Sequence, residues 1–459
     1  MRTVDVVVIG GKIVSEFGIL ENVGIAIESG RIASIACPSH LPSASTTIDA
    51  SSKLVIPGVV DAHCHSQTPG FNMEDYEHVT AAAAAGGVTT LQDHPINIPP
   101  TTTAENMRLK LSIAQRESYV DFCLLGGVLP ENLQEISRLA ELGVTGYKAP
   151  MVELLPDTVP KLSDGELFEA FQTISATSLR VGVHAENEQI ISHLTKKLRK
   201  LGRRDPLAHI ESRPPISEYE AVRRAVLLAR EVGCKLHIFH LSIPEGAEAV
   251  RSAGNEGLDA SCETCPHYLL LDSESMIQLA GLAKINPPLR DKTRIAKLWE
   301  ALREGSINIV ASDHAPFFKE EKMKEDVFEV PAGIPSVQTM LPLMLSEGVG
   351  KGRLTMEKLT EILCSGPAKL FSIYPKKGVI RVGSDADIVV LDLKSEDTIR
   401  SDGMHYKVGW TPYDGWKVKG RIEKTIVRGE VVAEKGEITG SKGHGEFVTP
   451  KTKAEDLRN

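Results

Sequence analysis

Short apolar runs of strand length alternate with amphipathic stretches of helix length through the middle of the chain. The eight apolar runs are Val55–Val60, Thr89–Leu91, Asp121–Leu125, Val144–Tyr147, Leu179–Val183, Lys235–Phe239, Leu258–Ser261 and Ile307–Val310. Helical stretches lie between them at Glu105–Arg116, Asn132–Leu142, Glu166–Ala176, Glu218–Glu231, Glu245–Ala253 and Thr293–Arg303. Eight strand–helix units in series predict an α/β fold, a closed (β/α)8 barrel, with a doubly wound open sheet as the alternative.

Both ends of the chain have a different sequence pattern, in which short runs of β-branched residues are separated by turns that contain glycine. Val6–Ile9, Gly24–Ile27 and Arg31–Ala36 are strand candidates near the start, and Asp387–Asp392 and Lys424–Val432 near the end. Because neither set could bury both of its faces alone, we expect one small β-sandwich built from 1–54 and 378–445. The barrel is then 55–377, and 446–459 is a polar, loosely held tail.

Composition limits the class of protein. The chain of 459 residues is 42% hydrophobic and 25% charged, with a net charge of −9, which is typical of a soluble globular protein and unfavourable for a nucleic-acid partner. Seven scattered cysteines and the absence of a recognisable signal peptide or apolar membrane span predict a cytoplasmic protein with reduced thiols.

The strongest chemical signal is the run ending in His63-Cys64-His65, at the end of the first barrel strand. Alternate residues of a strand face the same side, so both imidazoles can point at the barrel axis. Imidazole is a good ligand for zinc and neighbouring metals. Alone, however, a His-x-His motif is equally compatible with two ordinary polar residues at a strand end.

Other predicted strands end in residues of the same kind. His184 ends the fifth strand, His240 the sixth, and Asp313 follows the eighth. Active sites of (β/α)8 barrels lie at the carboxyl ends of the strands. Convergence of these side chains predicts a metal centre at the mouth of the barrel.

The fourth strand ends in Lys148, an unusual residue for a buried strand. A buried ammonium is costly unless it is paired, so a salt bridge or a side chain reaching solvent is one interpretation. The other is an amine that has added carbon dioxide, because the resulting carbamate is an anion with two oxygens that can bridge two metals.

Several further motifs extend along nearly the whole chain: Pro57–Asp61, Gly86–Thr90, His184–Asn187, Cys265–Tyr268, Pro287–Arg290, Ser312–His314 and Gly383–Asp387. With the strand-end residues, they resemble the amidohydrolase superfamily, in particular the branch of hydantoinases, dihydropyrimidinases, allantoinases and dihydroorotases. The resemblance implies the metal ligands His63, His65, Lys148, His184, His240 and Asp313, with Lys148 N6-carboxylated.

The same resemblance implies the chemistry. Two divalent ions, zinc by default with manganese or cobalt as alternatives, would share a hydroxide that attacks a ring amide carbonyl. Asp313 would accept the water's proton and deliver it to the departing nitrogen, and a purely structural carboxylate is the competing role. The implied partner is a small cyclic amide or ureide, and the family also suggests a homotetramer or homodimer.

Departures from the family's patterns narrow the substrate. Dihydroorotases of this branch carry an arginine two residues after the second histidine, and Gln67 stands there, so the bidentate clamp for the substrate carboxylate is missing. D-hydantoinases and dihydropyrimidinases usually carry a tyrosine where Glu153 stands and a serine at the position of Asn286. Ala332 replaces their asparagine next to Gly333. We expect backbone contacts to substrate at Asn286 and Gly333.

The remaining motifs most resemble the L-hydantoinases, and next the allantoinases. Pro99–Thr103, Ser163–Phe168 and Pro367–Phe371 carry this likeness. The predicted reaction is therefore opening of 5-substituted hydantoins to N-carbamoyl amino acids, with allantoin to allantoate as the alternative. Pocket shape depends on the loops 66–75, 93–100 and 150–160. A metal-free scaffold homologue, the non-enzyme alternative, would be expected to lack ligands.

Overall fold

The computed structural model describes residues 3–66, 74–153 and 159–451. Its strands are β1 Thr3–Ile9, β2 Lys12–Ser15, β3 Gly18–Leu20, β4 Gly24–Glu28, β5 Arg31–Ala36, β6 Ser43–Asp49, β7 Leu54–Pro57, β8 Val59–Cys64, β9 Val88–Asp93, β10 Asp121–Gly127, β11 Gly146–Pro150, β12 Arg180–His184, β13 Lys235–Ile238, β14 Ala260–Thr264, β15 Ile309–Val310, β16 Ile388–Thr398, β17 Lys417–Val427, β18 Glu430–Glu434 and β19 Glu437–Ile438.

The helices are α1 Tyr76–Ala85, α2 Ala104–Glu117, α3 Ile136–Glu141, α4 Asp164–Ser175, α5 Glu188–Lys200, α6 Pro206–Ser212, α7 Pro215–Val232, α8 Pro244–Asn255, α9 Pro266–Leu270, α10 Ser273–Leu279, α11 Lys292–Glu304, α12 Lys319–Lys322, α13 Met340–Leu343, α14 Met356–Thr360 and α15 Gly366–Leu370. Two π-helical segments, Met344–Gly350 and Glu361–Ser365, continue α13 and α14. None of the described helices is long and apolar enough to span a membrane.

Strands β8 to β15 form one parallel sheet in which each strand pairs with the next along the chain. A parallel bridge between Cys64 and His314 joins the first strand to the segment after the last. The Asp61 carboxylate reinforces this closure, because it accepts hydrogen bonds from the backbone N–H groups of His63 and Ser312. The predicted (β/α)8 barrel is confirmed, and the open sheet is excluded.

Barrel strands are buried on both faces because helices cover the outside and side chains fill the inside. Strands β9 and β10 are buried at every position, which explains why their sequences lack the alternation of buried and exposed positions seen in a sheet with one solvated face. Helix α4 begins with a reciprocal capping box between Ser163 and Glu166, and α11 begins at Asp291, whose carboxylate accepts two backbone N–H bonds. Local sequence thus sets where these helices start.

The floor of the active-site end of the barrel is aromatic. Phe239 lies inside the barrel with Leu125, Ile309 and Phe371 in one apolar cluster. Gly182 on the neighbouring strand makes room for it, because a Cβ there would lie 2.1 Å from the Phe239 ring. The polar residues at the strand ends therefore lie above an apolar layer of side chains inside the barrel.

One predicted strand, Val55–Val60, divides into two. Residues Leu54–Pro57 form β7, which pairs with β2 and β16 outside the barrel, and β8 begins at Val59. Gly58 lies between the two strands. A Cβ atom added at this position would lie only 2.1 Å from the Thr89 hydroxyl oxygen, so a larger residue would not fit there. The predicted boundary at residue 55 therefore falls within a strand of the neighbouring sheet.

Outside the barrel, two sheets contain the strands from the ends of the chain. A four-stranded sheet has the order β5-β4-β1-β6, and a seven-stranded sheet has the order β19-β18-β17-β16-β7-β2-β3. In the second sheet the late strands β19 to β16 join the early strands β7, β2 and β3 through the β16–β7 pair, as expected for a sandwich that the chain leaves and rejoins. The single strand predicted over Lys424–Val432 is a hairpin, in which β17 ends at Val427 and β18 begins at Glu430.

A buried ion cluster ties this region to the barrel. The Lys377 ammonium pairs with Asp121 of β10, with Asp387 at 2.7 Å and with Asp385 at 2.9 Å. Although burial acts to lower it, Asp387 and Asp385 hold the pKa of Lys377 above its usual range. The Gly383–Asp387 motif of the sequence thus has a structural role.

The start of the predicted tail is packed rather than loose. Phe447 forms a bridge with Phe122 of β10, and Val448 is 1% exposed against the barrel. The Lys451 backbone N–H donates to the Ser372 carbonyl. The expectation of a loosely held tail over 446–459 is therefore wrong for 446–451, because these residues bury apolar surface, and 452–459 lie outside the described residues.

Candidate metal centre and active site

All six residues predicted as metal ligands lie at the carboxyl ends of barrel strands. His63 is in β8 and His65 follows it, Lys148 is in β11, His184 ends β12, His240 follows β13, and Asp313 follows β15. Because parallel strands end at the same rim, side chains more than 200 residues apart in sequence meet there.

His63 is the centre of this cluster. Its Nε2 lies 3.3 Å from Lys148 Nζ and 3.2 Å from Asp313 Oδ1. Asp313 Oδ1 is also 3.7 Å from His65 Nε2, and the His63 and His240 rings are 5.3 Å apart. The fold thus places the nitrogen and oxygen donors of five of the predicted residues around one small volume.

His184 completes the group through His240, whose ring centroid lies 4.4 Å away. The Nε2 atom of His184 donates a hydrogen bond to Glu186 Oε2 at 2.7 Å, which leaves the free lone pair of the ring on Nδ1. Arg213 also binds Glu186. Burial acts to raise the pKa of Glu186, but the contact with Arg213 holds this pKa below its usual range. An ionised Glu186 fixes both the tautomer and the orientation of His184.

Glu263 of β14 has the same function for His63. Glu263 Oε1 accepts from His63 Nδ1 at 2.5 Å and from the His240 backbone N–H at 3.2 Å, and Oε2 lies 3.1 Å from His237 Nε2. The His63 lone pair on Nε2 therefore points into the cluster. Burial, with Asp313 and Asp61 nearby, raises the pKa of Glu263 well above its usual range, and cations at the site would oppose this shift.

Lys148 does not match either ordinary interpretation of a strand-end lysine. It is 3% exposed, so it does not reach solvent, and its hydrogen-bonding contacts within the described residues are His63 Nε2 and His94 Nδ1. Burial lowers the pKa of Lys148 to about 8. An amine held among imidazoles, 5.2 Å from the Phe239 ring centroid, suits the neutral form that adds carbon dioxide.

Asp313 and His240 share an uncommon backbone conformation. Their φ angles are +46° and +38°, in the left-handed region that non-glycine residues seldom occupy. Such strain is typical of functional sites, where the surrounding structure imposes it. His65 and His240 hold the pKa of Asp313 well below its usual range although burial acts to raise it, so this carboxylate is an anion among imidazoles.

The donor set fits divalent ions. It combines neutral imidazoles, whose pKa values burial lowers at His63, His184 and His240, with the Asp313 anion. His240 Nδ1 is buried and has no hydrogen-bond partner in the described structure. Imidazole and carboxylate groups suit zinc, manganese or cobalt, and a buried nitrogen lone pair without a partner is costly unless it binds something.

Sequence reasoning missed two residues of this site, His94 and Glu263. His94 follows β9, stacks on His63 with ring centroids 3.6 Å apart, and lies 3.1 Å from Lys148 Nζ. Both residues stand at the carboxyl ends of barrel strands. The same strand-end criterion that selected the six ligands would have found them if it had been applied to strands two and seven.

The cysteine pair of the seventh strand does not form a metal site of its own. Cys262 Sγ contacts the Ser306 carbonyl, whereas Cys265 faces His267 and Asp313, with donor atoms within 4.8 Å of one another. Burial raises the pKa of Cys265 well above its usual range, so its thiol stays protonated. Both thiols are buried and pack beside the seventh barrel strand.

Both residues predicted to contact substrate have a free hydrogen-bond acceptor. Asn286 Oδ1 is buried without a partner in the described structure, so it has a free acceptor. The Gly333 N–H donates to Lys284 and its carbonyl accepts from Lys322, which leaves one carbonyl lone pair for a ligand. Glu153 Oε1 is likewise buried and unpaired. Gln67 lies outside the described residues, as do parts of the loops 66–75 and 150–160.

The barrel fold and the histidine and carboxylate donors at its mouth fit a hydrolase that could hold metal ions, and comparison with known proteins agrees with the hydrolase class. The model of the amidohydrolase family matches residues 54–432. The chain belongs to the amidohydrolase family and is a hydrolase.

Named relatives match over almost the full length. An L-hydantoinase of Paenarthrobacter aurescens is 41% identical over 97% of this chain and 98% of its own. An allantoinase of Rubrobacter xylanophilus is 38% identical over 98% of this chain and 99% of its own. Among solved structures, the L-hydantoinase (dihydropyrimidinase) from Arthrobacter aurescens superposes with a TM-score of 0.95 over 97% of this chain and 100% of that chain. A D-hydantoinase structure, 32% identical in sequence, superposes with a TM-score of 0.91 over 97% of this chain and 99% of that chain. The predicted branch of the family is confirmed.

Proposed function

We propose that this protein hydrolytically opens hydantoin-type rings, converting 5-substituted hydantoins to N-carbamoyl amino acids. The observation that carries the proposal is the cluster of six strand-end residues in a chain 41% identical to an L-hydantoinase over 97% of its length. Allantoin is the second candidate substrate, supported by the 38% identity to an allantoinase. The two compounds share the five-membered imide–urea ring, so one site chemistry serves both.

His63, His65, Lys148, His184, His240 and Asp313 would hold two divalent ions, zinc by default and manganese or cobalt as alternatives, with Lys148 carboxylated. Bound there, the ions would polarise the ring carbonyl and lower the pKa of the attacking water. The support is the donor set, the unpaired His240 nitrogen and the desolvated Lys148 amine. A metal-free scaffold would be expected to lack ligands, and all six residues are present.

Asp313 is the proposed proton carrier. Its carboxylate is ionised and lies beside the imidazoles, so it can accept a proton from the attacking water. As the water oxygen bonds to the ring carbonyl carbon and the C–N bond breaks, Asp313 returns that proton to the departing ring nitrogen. Glu186 and Glu263 keep His184 and His63 in the tautomers that leave their lone pairs free.

Substrate choice is expected to depend on the rim. Asn286 and Gly333 are proposed substrate contacts, through the free Asn286 oxygen and the remaining Gly333 carbonyl lone pair. With glutamine at position 67 the chain lacks a guanidinium for the carboxylate of dihydroorotate. We therefore expect dihydroorotate to be a poor substrate.

A hydrolysis panel tests the assignment. Equal concentrations of 5-substituted L- and D-hydantoins, allantoin, dihydrouracil and dihydroorotate are compared by kcat/KM with the metal-loaded protein. The highest value is expected for a hydantoin. An allantoin preference would select the second candidate, and a dihydroorotate preference would refute the proposal.

Two further properties are proposed with this function. Seven free cysteines and the lack of a membrane-spanning helix among the described residues support a cytoplasmic location. Family resemblance supports a homotetramer or homodimer, which light scattering coupled to size-exclusion chromatography tests directly.

A further inference from the structure

His94 is a buried imidazole of the site to which the proposed function assigns no role. It is fully buried, directly beside Lys148 and His63. Its backbone N–H donates to the Cys64 carbonyl at 2.8 Å, and its ring Nε2 lies 3.2 Å from the Ala62 carbonyl. A carbonyl only accepts hydrogen bonds, so Nε2 carries the proton and Nδ1 has the lone pair. That lone pair faces Lys148 Nζ at 3.1 Å.

A shared metal ion does not explain this arrangement. Donor atoms of His63, His65 and His94 lie within 4.8 Å of one another, so the distances alone would permit one. However, the His63 and His94 rings are stacked, with centroids 3.6 Å apart and planes 14° from parallel. An imidazole binds an ion in its ring plane at about 2.0–2.1 Å. An ion in the plane of His63 would lie far out of the plane of His94.

Hydrogen-bond accounting at Lys148 gives His94 a different role. When the amine adds carbon dioxide, the Nζ–C bond forms, one C=O electron pair moves onto oxygen, and Nζ releases a proton to water. The carbamate nitrogen then keeps a single N–H. Of the two imidazole acceptors beside Nζ, His63 Nε2 would hold a metal ion, and His94 Nδ1 would remain to accept this N–H.

We propose that His94 is a positioning residue that accepts the N–H of carboxylated Lys148 and thereby orients the carbamate oxygens toward the metals. The carbamate is planar, like an amide, so the direction of its N–H fixes the directions of both oxygens. This inference rests on the proposed function, because it requires a carboxylated Lys148.

The test measures carboxylation itself rather than turnover. Wild-type protein and the variants His94→Leu, His94→Met and His94→Asn are equilibrated with 13C-bicarbonate and metal over a range of bicarbonate concentrations. The carbamate carbon is counted by NMR and the bound metal by elemental analysis. His209→Leu is the matched control, because it removes another buried imidazole that contacts a backbone carbonyl, that of Ile285. Thermal melting verifies folding, and the Met variant replaces Leu if Leu fails to fold.

Wild type and His209→Leu are expected to carry one labelled carbamate per chain. His94→Leu should need about tenfold more bicarbonate for half-saturation, since tenfold corresponds to ~1.4 kcal/mol, the scale of one hydrogen bond. Asn, whose amide oxygen can occupy the place of Nδ1, should recover most of the loss.

Three outcomes would overturn the inference. Equal labelling of wild type and His94→Leu with equal metal content removes His94 from this role and leaves the proposed function intact. Normal labelling with lost metal makes His94 a ligand instead. A wild-type protein that carries metal and hydrolyses hydantoins without any label refutes the carboxylated lysine, and the inference with it.

Discussion

Replacing Glu263 by glutamine tests whether a buried charge prepares the metal centre. Glu263 Oε1 accepts from His63 Nδ1 at 2.5 Å and from the His240 backbone N–H at 3.2 Å, and Oε2 lies 3.1 Å from His237 Nε2. Through these contacts one side chain fixes the orientation of His63 and supports the segment that carries His240.

Glutamine can preserve every one of these contacts. Its amide oxygen takes the place of Oε1, and its NH2 group faces His237 Nε2. His237 adapts by carrying its proton on Nδ1, which lies 2.8 Å from the Ser261 hydroxyl, and that hydroxyl can then donate to the Leu236 carbonyl at 3.3 Å. The substitution therefore removes charge with little change in shape.

The size of the effect follows from that difference. A hydrogen bond to a charged group contributes roughly 1.5–3 kcal/mol and one between neutral groups roughly 0.5–1.5, so about 1–1.5 kcal/mol is lost at His63. Metal affinity should fall about tenfold. Glu263→Leu removes all three contacts, and affinity should fall toward the roughly 100-fold limit known for residues that orient metal-bound histidines.

Competition with a chromophoric chelator measures zinc affinity for wild type and both variants, with circular dichroism to verify folding. Glu218→Gln is the matched control, because Glu218 is another buried carboxylate, bound to Ser242 and Arg290. Unchanged zinc affinity in Glu263→Gln would refute the reasoning. It would show that Glu263 is already protonated, and therefore uncharged, in the metal-loaded protein. This is the state that burial favours, because burial raises the pKa of Glu263.

Three other substitutions are informative. Lys148→Ala should reduce the number of bound metal ions and lower kcat/KM by about 10²–10³-fold, and full activity with full metal content would exclude the bridging role. Asp313→Asn should lower kcat by about 10²–10⁴-fold, the usual contribution of a general acid–base. Its activity is measured at matched metal occupancy, and normal turnover there would make Asp313 a structural carboxylate. Lys377→Met should lower the free energy of unfolding by about 3–5 kcal/mol in a denaturant titration, because it removes the buried cation that pairs with Asp387 and weakens the pairing of Asp121 and Asp385, which retain Arg428 and Lys376. A loss below about 1 kcal/mol would show that the cluster contributes as little as a surface pair.

The barrel, several strands of the two outer sheets and the positions of the six strand-end residues can be predicted from the sequence alone. Hydrophobic periodicity is a local property, so eight buried parallel strands produce eight apolar runs that can be counted. A side chain such as His184 or Asp313 stands out because it is polar directly after such a run. Parallel strands then bring these residues to one rim whatever the detailed packing is.

The other residues that complete the site depend on contacts made in the folded protein. His94 and Glu263 act through atoms of partners distant in sequence, with Glu263 meeting His63 across 200 positions. The stacking of His94 on His63 and its hydrogen bond to Ala62 depend on the register of β8 against β9, which periodicity does not specify to the residue. The division of Val55–Val60 between two sheets likewise depends on Gly58 meeting Thr89, a contact between chain segments rather than a local preference.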